Sequence, residues 1–524
     1  MVKIKKRDTW GSRLGIIMAV AGSAIGLGNF LRFPAKAASN GGGAFMIPYL
    51  VSLFLLGIPL MWIEWTLGRY GGGFEHGTAP GIFHSIWQKN RFIKYFGVIG
   101  IFGPLVIFIY YTYIEAWTLA YSFFALIGKY SKLTDQATMQ SFLSGFQGLD
   151  GKNQYFNGLG WAYLFFLITF ILNISVIYYG IKGGIEKLCK WAMPLLFIFG
   201  LILMIRVITL GTPDPSKPNW NIFNGFGFLW NPDFSALKSA KVWLEAAGQI
   251  FFTLSVGIGV ILTYASYLSK GDDVVLSGLT AASTNEFAEV ILGGSIVIPA
   301  AFVFFGPVAM KSIASSNVFD LGFVTMPLVL NKLPLAAIFG FIWFFLLFLA
   351  GITSSISLAQ PAVAFLEDEF DINRKKAVLI FGIVSFLLCQ PAIFFYGKGV
   401  VGELDFWGGT FFLVLFATIE TILFAWVFGM EKAWDEIHKG ADLRVPKIYK
   451  FIIKYITPLF LLSILVSYFW QKESRDLMFM KNIYPANQIF ILDTRLGLAA
   501  VFLILVLLVK IAWRRKRIQI EKIR

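Results

Sequence analysis

About twelve long runs of apolar residues follow one another along this chain of 524 residues. A helix needs about 20 apolar residues to cross the hydrocarbon core of a bilayer, and each run is long enough to do so. The runs predict an all-α membrane protein with about twelve transmembrane helices, in a single domain over residues 1–524. The expected spans are 14–37, 44–68, 92–125, 160–180, 188–209, 241–268, 275–306, 335–366, 375–396, 404–429, 449–470 and 493–513.

Composition and charge indicate a membrane rather than water or nucleic acid. The chain is 57% hydrophobic and 14% charged, whereas a soluble domain is about 45–50% apolar and about 25% charged. The net charge of +15 is concentrated beside the ends of apolar runs, as at Lys3–Arg7 and Arg514–Arg517. The positive-inside rule explains this pattern without a nucleic-acid partner. We expect a multi-pass protein of the inner (plasma) membrane, in contact with the lipid bilayer, with both termini cytoplasmic and no cleaved signal peptide.

The cysteines and histidines do not indicate a metal or catalytic centre. Cys189 and Cys389 lie inside apolar runs, where packing is their expected role. The three histidines, His76, His84 and His438, lie in polar connecting segments, which argues against an intramembrane haem or zinc site. Since no nucleophile, metal cluster or soluble output domain is evident either, we do not expect an enzyme.

Two glycine motifs interrupt the first and the sixth span near their middle. Residues 24–29 read AIGLGN and residues 255–259 read SVGIG. Close helix packing of the GxxxG kind would explain one such motif. Paired glycine-interrupted spans instead indicate a transporter built from inverted repeats. We predict a 5+5 inverted repeat with broken helices 1 and 6, in which 1–210 and 241–430 are the repeats and 447–513 forms two additional helices.

Polar side chains near mid-span mark the expected site. Ionisable side chains inside spans are functional candidates by default, although a structural role is the preferred interpretation for Glu64 and Glu420. Neutral oxygen donors suit a hard cation that must later be released. The neutral donors are Asn29, Thr253, Asn285, Thr353 and Ser354, and the ionisable residues are Arg32, Glu64, Glu115, Glu245, Glu286, Glu289, Asp405 and Glu420.

The sequence resembles the neurotransmitter:sodium symporter family over essentially its whole length. The resemblance rests on four strings: residues 26–34 (GLGNFLRFP), 40–45 (NGGGAF), 57–64 (GIPLMWIE) and 249–255 (QIFFTLS). It implies that sodium drives an amino acid into the cell by alternating access, and it leaves a homodimer open.

The resemblance also implies the binding residues. The first of two sodium sites would use the carbonyl of Ala24, the side chains of Asn29, Thr253 and Asn285, and the substrate carboxylate. The second would use the carbonyls of Gly22, Ile25 and Ala350 and the hydroxyls of Thr353 and Ser354. The substrate would contact Ala24, Leu27, Gly28, Tyr111, Phe252 and Thr253 through its carboxylate and ammonium groups, and Ile107, Tyr111, Phe252, Ser255, Ile258 and Leu358 through its side chain.

Gates and a chloride substitute follow from the same resemblance. Arg32 and Asp405 would close the outer side above Tyr111 and Phe252. The inner side would be closed by Arg7 and Asp368, supported by Trp10, Ser266 and Tyr267. Glu289 stands where chloride-dependent members have a small hydroxyl residue, so transport is expected to need no chloride.

The substrate is expected to be a small neutral, mainly aliphatic amino acid. Ile107 and Ile258 replace a valine and a phenylalanine of a bacterial family member, and Ser23 replaces an asparagine. An aromatic amino acid is therefore the alternative substrate, and a sodium-gated channel or sensor is the alternative class of protein. A channel requires a continuous polar pore, whereas the polar residues in the middle of the spans are few here and are concentrated in a small number of spans.

Overall fold

The computed structural model describes residues 8–315, 318–481 and 484–523, and within these ranges its regular structure is helical, with one isolated β-bridge and no strand. The helices of the spans are α1 (Arg13–Ala24), α2 (Leu27–Ser39), α3 (Gly42–Gly72), α4 (Ile93–Leu126), α5 (Gly160–Tyr178), α6 (Ile181–Ile208), α7 (Ala240–Leu254), α8 (Val260–Ala265), α9 (Val275–Met310), α10 (Ala336–Phe370), α11 (Arg374–Phe394), α12 (Val400–Val427), α13 (Ile448–Trp470) and α14 (Pro485–Arg515).

Ten of these helices, α3–α6 and α9–α14, are long and apolar enough to cross a membrane by themselves. Helices α1 and α2 form a further span that is bent by 48°. Helices α7 and α8 occupy the expected span 241–268. The prediction of an all-α membrane protein with about twelve spans is therefore confirmed. The boundaries of the two repeats stay a prediction.

The first break separates α1 from α2 at the glycine motif. Ile25 leaves the helix with φ −77° and ψ 97°, and Gly26 is also extended. The carbonyls at the end of α1 and the N–H groups at the start of α2 consequently lose their helical partners. A helix end buried in apolar surroundings needs other partners, which here means side chains, ions or a ligand.

The second break, between α7 and α8, is longer and depends on glycine. Ser255, Gly257 and Gly259 have φ values of +52°, +76° and +81°. A Cβ at Gly259 would lie 2.5 Å from the carbonyl oxygen of Gly100 on α4. Left-handed backbone and this close approach both require glycine at that position. The two glycine motifs are thus helix breaks and not packing stripes.

The broken helices lie at the centre of the bundle. Helix α1 contacts α6, α9 and α10, and both α7 and α8 contact α3. Helix α4 runs along α10. In the most apolar segment of α4, 83% of the residues are buried, whereas only 28% and 22% are buried in the corresponding segments of α13 and α14. Shorter helices connect the spans at Ala79–Ile86, Gln136–Phe146, Ile222–Trp230, Leu321–Asn331 and Met430–Ile437.

Candidate functional site

A cavity of about 50 Å³ lies where the two helix breaks meet α4, α10 and α12. Seven of the ten residues predicted to contact a substrate line it: Ala24, Ile107, Tyr111, Phe252, Ser255, Ile258 and Leu358. Seven residues that were not predicted to contact a substrate also line it, and of these Ser354 was predicted for the second sodium site: Ser23, Gly26, Phe251, Ser354, Ser357, Gly409 and Leu413. Phe251, Gly409 and Leu413 carry no signal beyond hydrophobicity or small size, so only the packing reveals them.

The remaining three predicted substrate residues do not line this cavity, and two of them, Leu27 and Gly28, line a neighbouring space instead. The N–H of Leu27, at the start of α2, points to the Tyr111 hydroxyl at 3.4 Å. Gly28 packs so closely on the ring of Phe252 that a Cβ there would lie 2.5 Å from it. The side chain of Thr253 turns away, toward Asn29 and Asn285. The amide end of a helix therefore faces the cavity beside a phenol, an arrangement that suits an anionic group.

The side chains predicted for the first sodium site form one buried group. Asn29 donates from Nδ2 to Asn285 at 2.8 Å and to Thr253 at 3.0 Å, while its Oδ1 accepts the Gly26 N–H at 2.8 Å. All three side chains are at most 1% exposed. The group thus joins α2, α7 and α9 through neutral oxygen and nitrogen atoms next to the end of α1.

The residues predicted for the second sodium site also converge, between α1 and α10. The Ser354 hydroxyl lies 3.3 Å from the carbonyl oxygen of Gly22 and 3.0 Å from that of Ala350. Thr353 Oγ1 is 3.2 Å from the Ala350 carbonyl. Ile25 follows the last residue of α1 directly. These atoms are hydroxyl and carbonyl oxygens, which are the ligands of a hard cation.

Glu289 is a fully buried carboxylate held by three side-chain donors. Tyr49 donates to it at 3.0 Å and Gln249 at 2.9 Å, and the Thr253 hydroxyl makes a further short contact. Because Thr253 belongs to the group of side chains predicted for the first sodium site, the Glu289 carboxyl lies one residue away from that group. The Tyr49 hydroxyl also reaches Glu286 at 2.7 Å.

A vestibule of about 500 Å³ lies on the other side of Tyr111 and Phe252, which line both spaces and so separate them. Arg32 and Asp405 both face this vestibule. The Arg32 guanidinium lies 4.7 Å from the centre of the Phe252 ring, and Asp405 accepts the Tyr110 hydroxyl at 2.6 Å. Arg32 and Asp405 both belong to the part of the chain that the structure describes, and no ion pair with a nitrogen–oxygen distance of 4.0 Å or less joins them. The rings of Tyr111 and Phe252 therefore lie between the cavity and the vestibule, and Arg32 and Asp405 line the vestibule above them.

The segment that precedes α1 packs against α8, where the residues predicted for the inner gate were expected. Trp10 donates from its indole to the carbonyl of Tyr264 at 3.0 Å, and the two rings meet edge to face at 5.3 Å. The predicted partner Arg7 lies outside the described residues, while Asp368 lies near the end of α10. Ser266 and Tyr267 follow α8 directly.

Glu186 is a site residue that sequence reasoning missed. Its side chain is 2% exposed, and its carboxylate accepts the backbone N–H of Gly11 at 2.6 Å and the Ser12 hydroxyl at 3.1 Å. Lys190 reaches it at 2.5 Å. A Cβ at Gly15 would lie 2.2 Å from this carboxylate. Glu186 follows basic and glycine residues in a loop-like stretch, so it resembles a solvated juxtamembrane charge in the sequence.

Comparisons with known proteins agree with this geometry. The model of the sodium:neurotransmitter symporter family matches residues 7–144 and 129–515. An uncharacterised sodium-dependent transporter of Methanocaldococcus jannaschii is 32% identical over 472 residues, covering 88% of this chain and 90% of that protein. The sodium-dependent nutrient amino acid transporter 1 of Drosophila yakuba is 27% identical, covering 88% and 77%. The crystal structure of MhsT in complex with L-phenylalanine has a TM-score of 0.75 at 29% identity, covering 88% of this chain and 100% of MhsT.

Proposed function

The chain belongs to the sodium:neurotransmitter symporter family and is a sodium-dependent membrane transporter, and on that premise we propose that it carries small neutral, mainly aliphatic amino acids into the cell by alternating access. The observation that carries the proposal is the small cavity between the two helix breaks, which combines the N-terminal amide end of α2 with a largely apolar wall.

An amino acid fits the cavity better than an amine does. Amine-carrying relatives have an aspartate at the position of Gly26. A Cβ at Gly26 would already lie 3.0 Å from the Tyr111 hydroxyl and 3.2 Å from the Ser354 hydroxyl, so the first atom of a side chain there has little room. The carboxylate that would complete the first sodium site must then come from the substrate.

The volume of the cavity favours a small side chain. One water-sized group needs about 10–15 Å³ of such volume, so about 50 Å³ has room for about three to five of them. A space this small favours an amino acid with a short side chain over one with a bulky side chain. Its apolar wall includes Ile107, Ile258 and Leu358. MhsT holds L-phenylalanine, so an aromatic substrate is the alternative, and it would require the wall near Ile258 to move.

Two sodium ions would accompany the substrate. The Asn29, Thr253 and Asn285 group supports the first site, and the hydroxyl and carbonyl oxygens of Thr353, Ser354 and Ala350 support the second. Neutral ligands bind sodium without the strong attraction of a carboxylate cage, which allows release to the cytoplasm.

Transport would need no chloride, because Glu289 supplies a fixed negative charge at the edge of the first sodium group. Its three donors, Tyr49, Gln249 and Thr253, would otherwise surround an anion. A buried carboxylate is tolerated when hydrogen bonds and nearby cations compensate it. We further propose the inner (plasma) membrane as its location, with both termini cytoplasmic.

The decisive experiment is uptake by reconstituted vesicles. Each common amino acid is offered as a radiolabelled solute with an inward sodium gradient, with equal sodium on both sides, and with potassium replacing sodium. Concentrative uptake of small aliphatic amino acids only under the gradient is expected. Sodium flux without solute accumulation would instead indicate the channel, and preferred uptake of phenylalanine or tryptophan would indicate the aromatic alternative.

A further inference from the structure

Two serine hydroxyls lie in contact at the wall of the cavity, and no sequence motif predicts this contact. Ser23, in the last turn of α1, and Ser357, on α10, have their Oγ atoms 2.7 Å apart. Both line the cavity and are at most 3% exposed. This hydroxyl pair belongs to a small set of polar side chains in a largely apolar wall, together with Ser255, Ser354 and Tyr111.

The hydrogen-bond directions of this pair follow from a count of hydrogens. A hydroxyl has one hydrogen to donate and two lone pairs to accept with. Ser357 lies 2.6 Å from the carbonyl oxygen of Ser354 and donates to it. Ser23 then donates to Ser357, which is the arrangement that uses both hydrogens within the protein. Each of the two oxygens retains a lone pair and has no hydrogen left for the cavity.

The neighbouring hydroxyls at the cavity behave in the same way. Ser255 donates to the carbonyl of Ser23 at 2.8 Å, and Ser354 donates to backbone carbonyls of α1 and α10 at 3.0–3.3 Å. All four serines at this wall therefore direct their hydrogens into the protein. Ser354 belongs to the proposed sodium site, and Ser255 lies at the second helix break, whereas the Ser23–Ser357 pair has no such assignment.

We propose that the Ser23–Ser357 pair is a specificity determinant that accepts a hydrogen bond from the substrate side chain, so that the transporter favours hydroxyl-bearing neutral amino acids such as threonine over their isosteric hydrocarbon analogues. The proposal rests on the amino-acid function proposed above and narrows its substrate class. Both acceptors are already bonded to each other, so a substrate without a donor leaves no buried hydrogen unpaired. The pair therefore favours a hydroxyl without excluding valine.

The magnitude follows from the cost of burying a hydroxyl. A purely apolar pocket discriminates against an added hydroxyl by up to about 100-fold, because the hydroxyl loses its water and finds no partner. In the wild type we expect threonine to bind at least as tightly as valine. When Ser23→Ala and Ser357→Ala are combined, the ratio of threonine to valine affinity should fall by about 5-fold to about 100-fold, with valine affinity nearly unchanged.

The test is competition against sodium-dependent binding in the full-length purified protein, with threonine and valine as one isosteric pair and tyrosine and phenylalanine as another. The single variants Ser23→Ala and Ser357→Ala are measured beside the double variant, so that the comparison survives poor folding of the double variant. Ser355→Ala is the matched control: this buried hydroxyl on α10 bonds to Asn173 and does not line the cavity.

A fall in the hydroxyl preference in the serine-pair variants, with an unchanged ratio in Ser355→Ala, supports the proposal. An unchanged ratio in the pair variants overturns it, even if valine remains a substrate and the proposed function stands. If none of the four binds while another aliphatic amino acid is taken up with sodium, only the proposal for the serine pair is refuted. If no common amino acid is taken up with sodium, the proposed function is refuted as well. A wild type that prefers valine to threonine by tens of fold would also refute the role of this pair.

Discussion

Replacement of Glu186 by glutamine should release the segment that precedes α1. The carboxylate holds this segment by two bonds, from the Gly11 N–H at 2.6 Å and from the Ser12 hydroxyl at 3.1 Å. Bonds to a charged group contribute about 1.5–3 kcal/mol and neutral bonds about 0.5–1.5 kcal/mol, so each bond weakens by about 1 kcal/mol. The expected total of about 2 kcal/mol shifts the equilibrium toward an open inner side by about 30-fold.

A native cysteine can report this shift. Cys189 lies one turn from Glu186 on α6 and is fully buried. In a Cys389→Ala background, alkylation of Cys189 measures how often the inner side opens. We expect Glu186→Gln to raise the alkylation rate by about 30-fold, and sodium to oppose the increase if sodium binds the inwardly closed state more tightly.

Lys190→Gln is the matched control for this measurement. Lys190 contacts the same carboxylate at 2.5 Å but lies on the same helix, so its removal leaves both bonds to the N-terminal segment in place. Its effect on the alkylation rate should be several-fold smaller. An unchanged rate in Glu186→Gln, or an equal increase in Lys190→Gln, would refute the role assigned to Glu186.

Four further predictions concern the ion sites, the pocket and the second helix break. Thr353→Val removes one hydroxyl ligand and should raise the sodium concentration needed for half-maximal uptake, whereas an unchanged sodium dependence would remove Thr353 from the second site. Glu289→Ser should create a chloride requirement, measured as uptake in gluconate and chloride buffers; wild-type uptake that fails in gluconate contradicts the proposal. Ile258→Phe should shift preference toward smaller substrates, and an unchanged ranking would show that this side chain does not limit the pocket. Gly259→Ala should lower the free energy of unfolding by about 1–3 kcal/mol, because φ is +81° and the new Cβ would clash with the backbone of Gly100. Gly248→Ala is the control, since its Cβ would meet nothing within 4 Å, and it should be neutral or stabilising when both variants are compared by thermal unfolding.

Glycine spacing predicted the helix breaks because backbone conformation is a local property. Gly257 and Gly259 adopt left-handed φ values that few other residues tolerate, and Gly26 leaves the helix at the expected place. The neutral oxygen donors were likewise found by their chemistry, since Asn29, Thr253 and Asn285 are polar residues in apolar spans and do converge.

Contacts between residues that are far apart in the sequence could not be predicted in the same way. Arg32 and Asp405 were predicted to close the outer side together, but the sequence did not indicate that Arg32 would lie over Phe252 or that Asp405 would accept the Tyr110 hydroxyl, because these contacts join separate helices. Glu186 is indistinguishable from a solvated charge until the N-terminal segment folds over it.

The sequence by itself determined the approximate number of spans, the two helix breaks and the presence of neutral polar side chains in apolar spans, since each depends on the hydrophobicity or backbone freedom of a few consecutive residues. Only the tertiary structure decided the size of the cavity, the contact between Ser23 and Ser357 across α1 and α10, and the burial of Glu186 under Gly11. Those features arise between residues far apart in the chain, whose distance is set by how the helices pack.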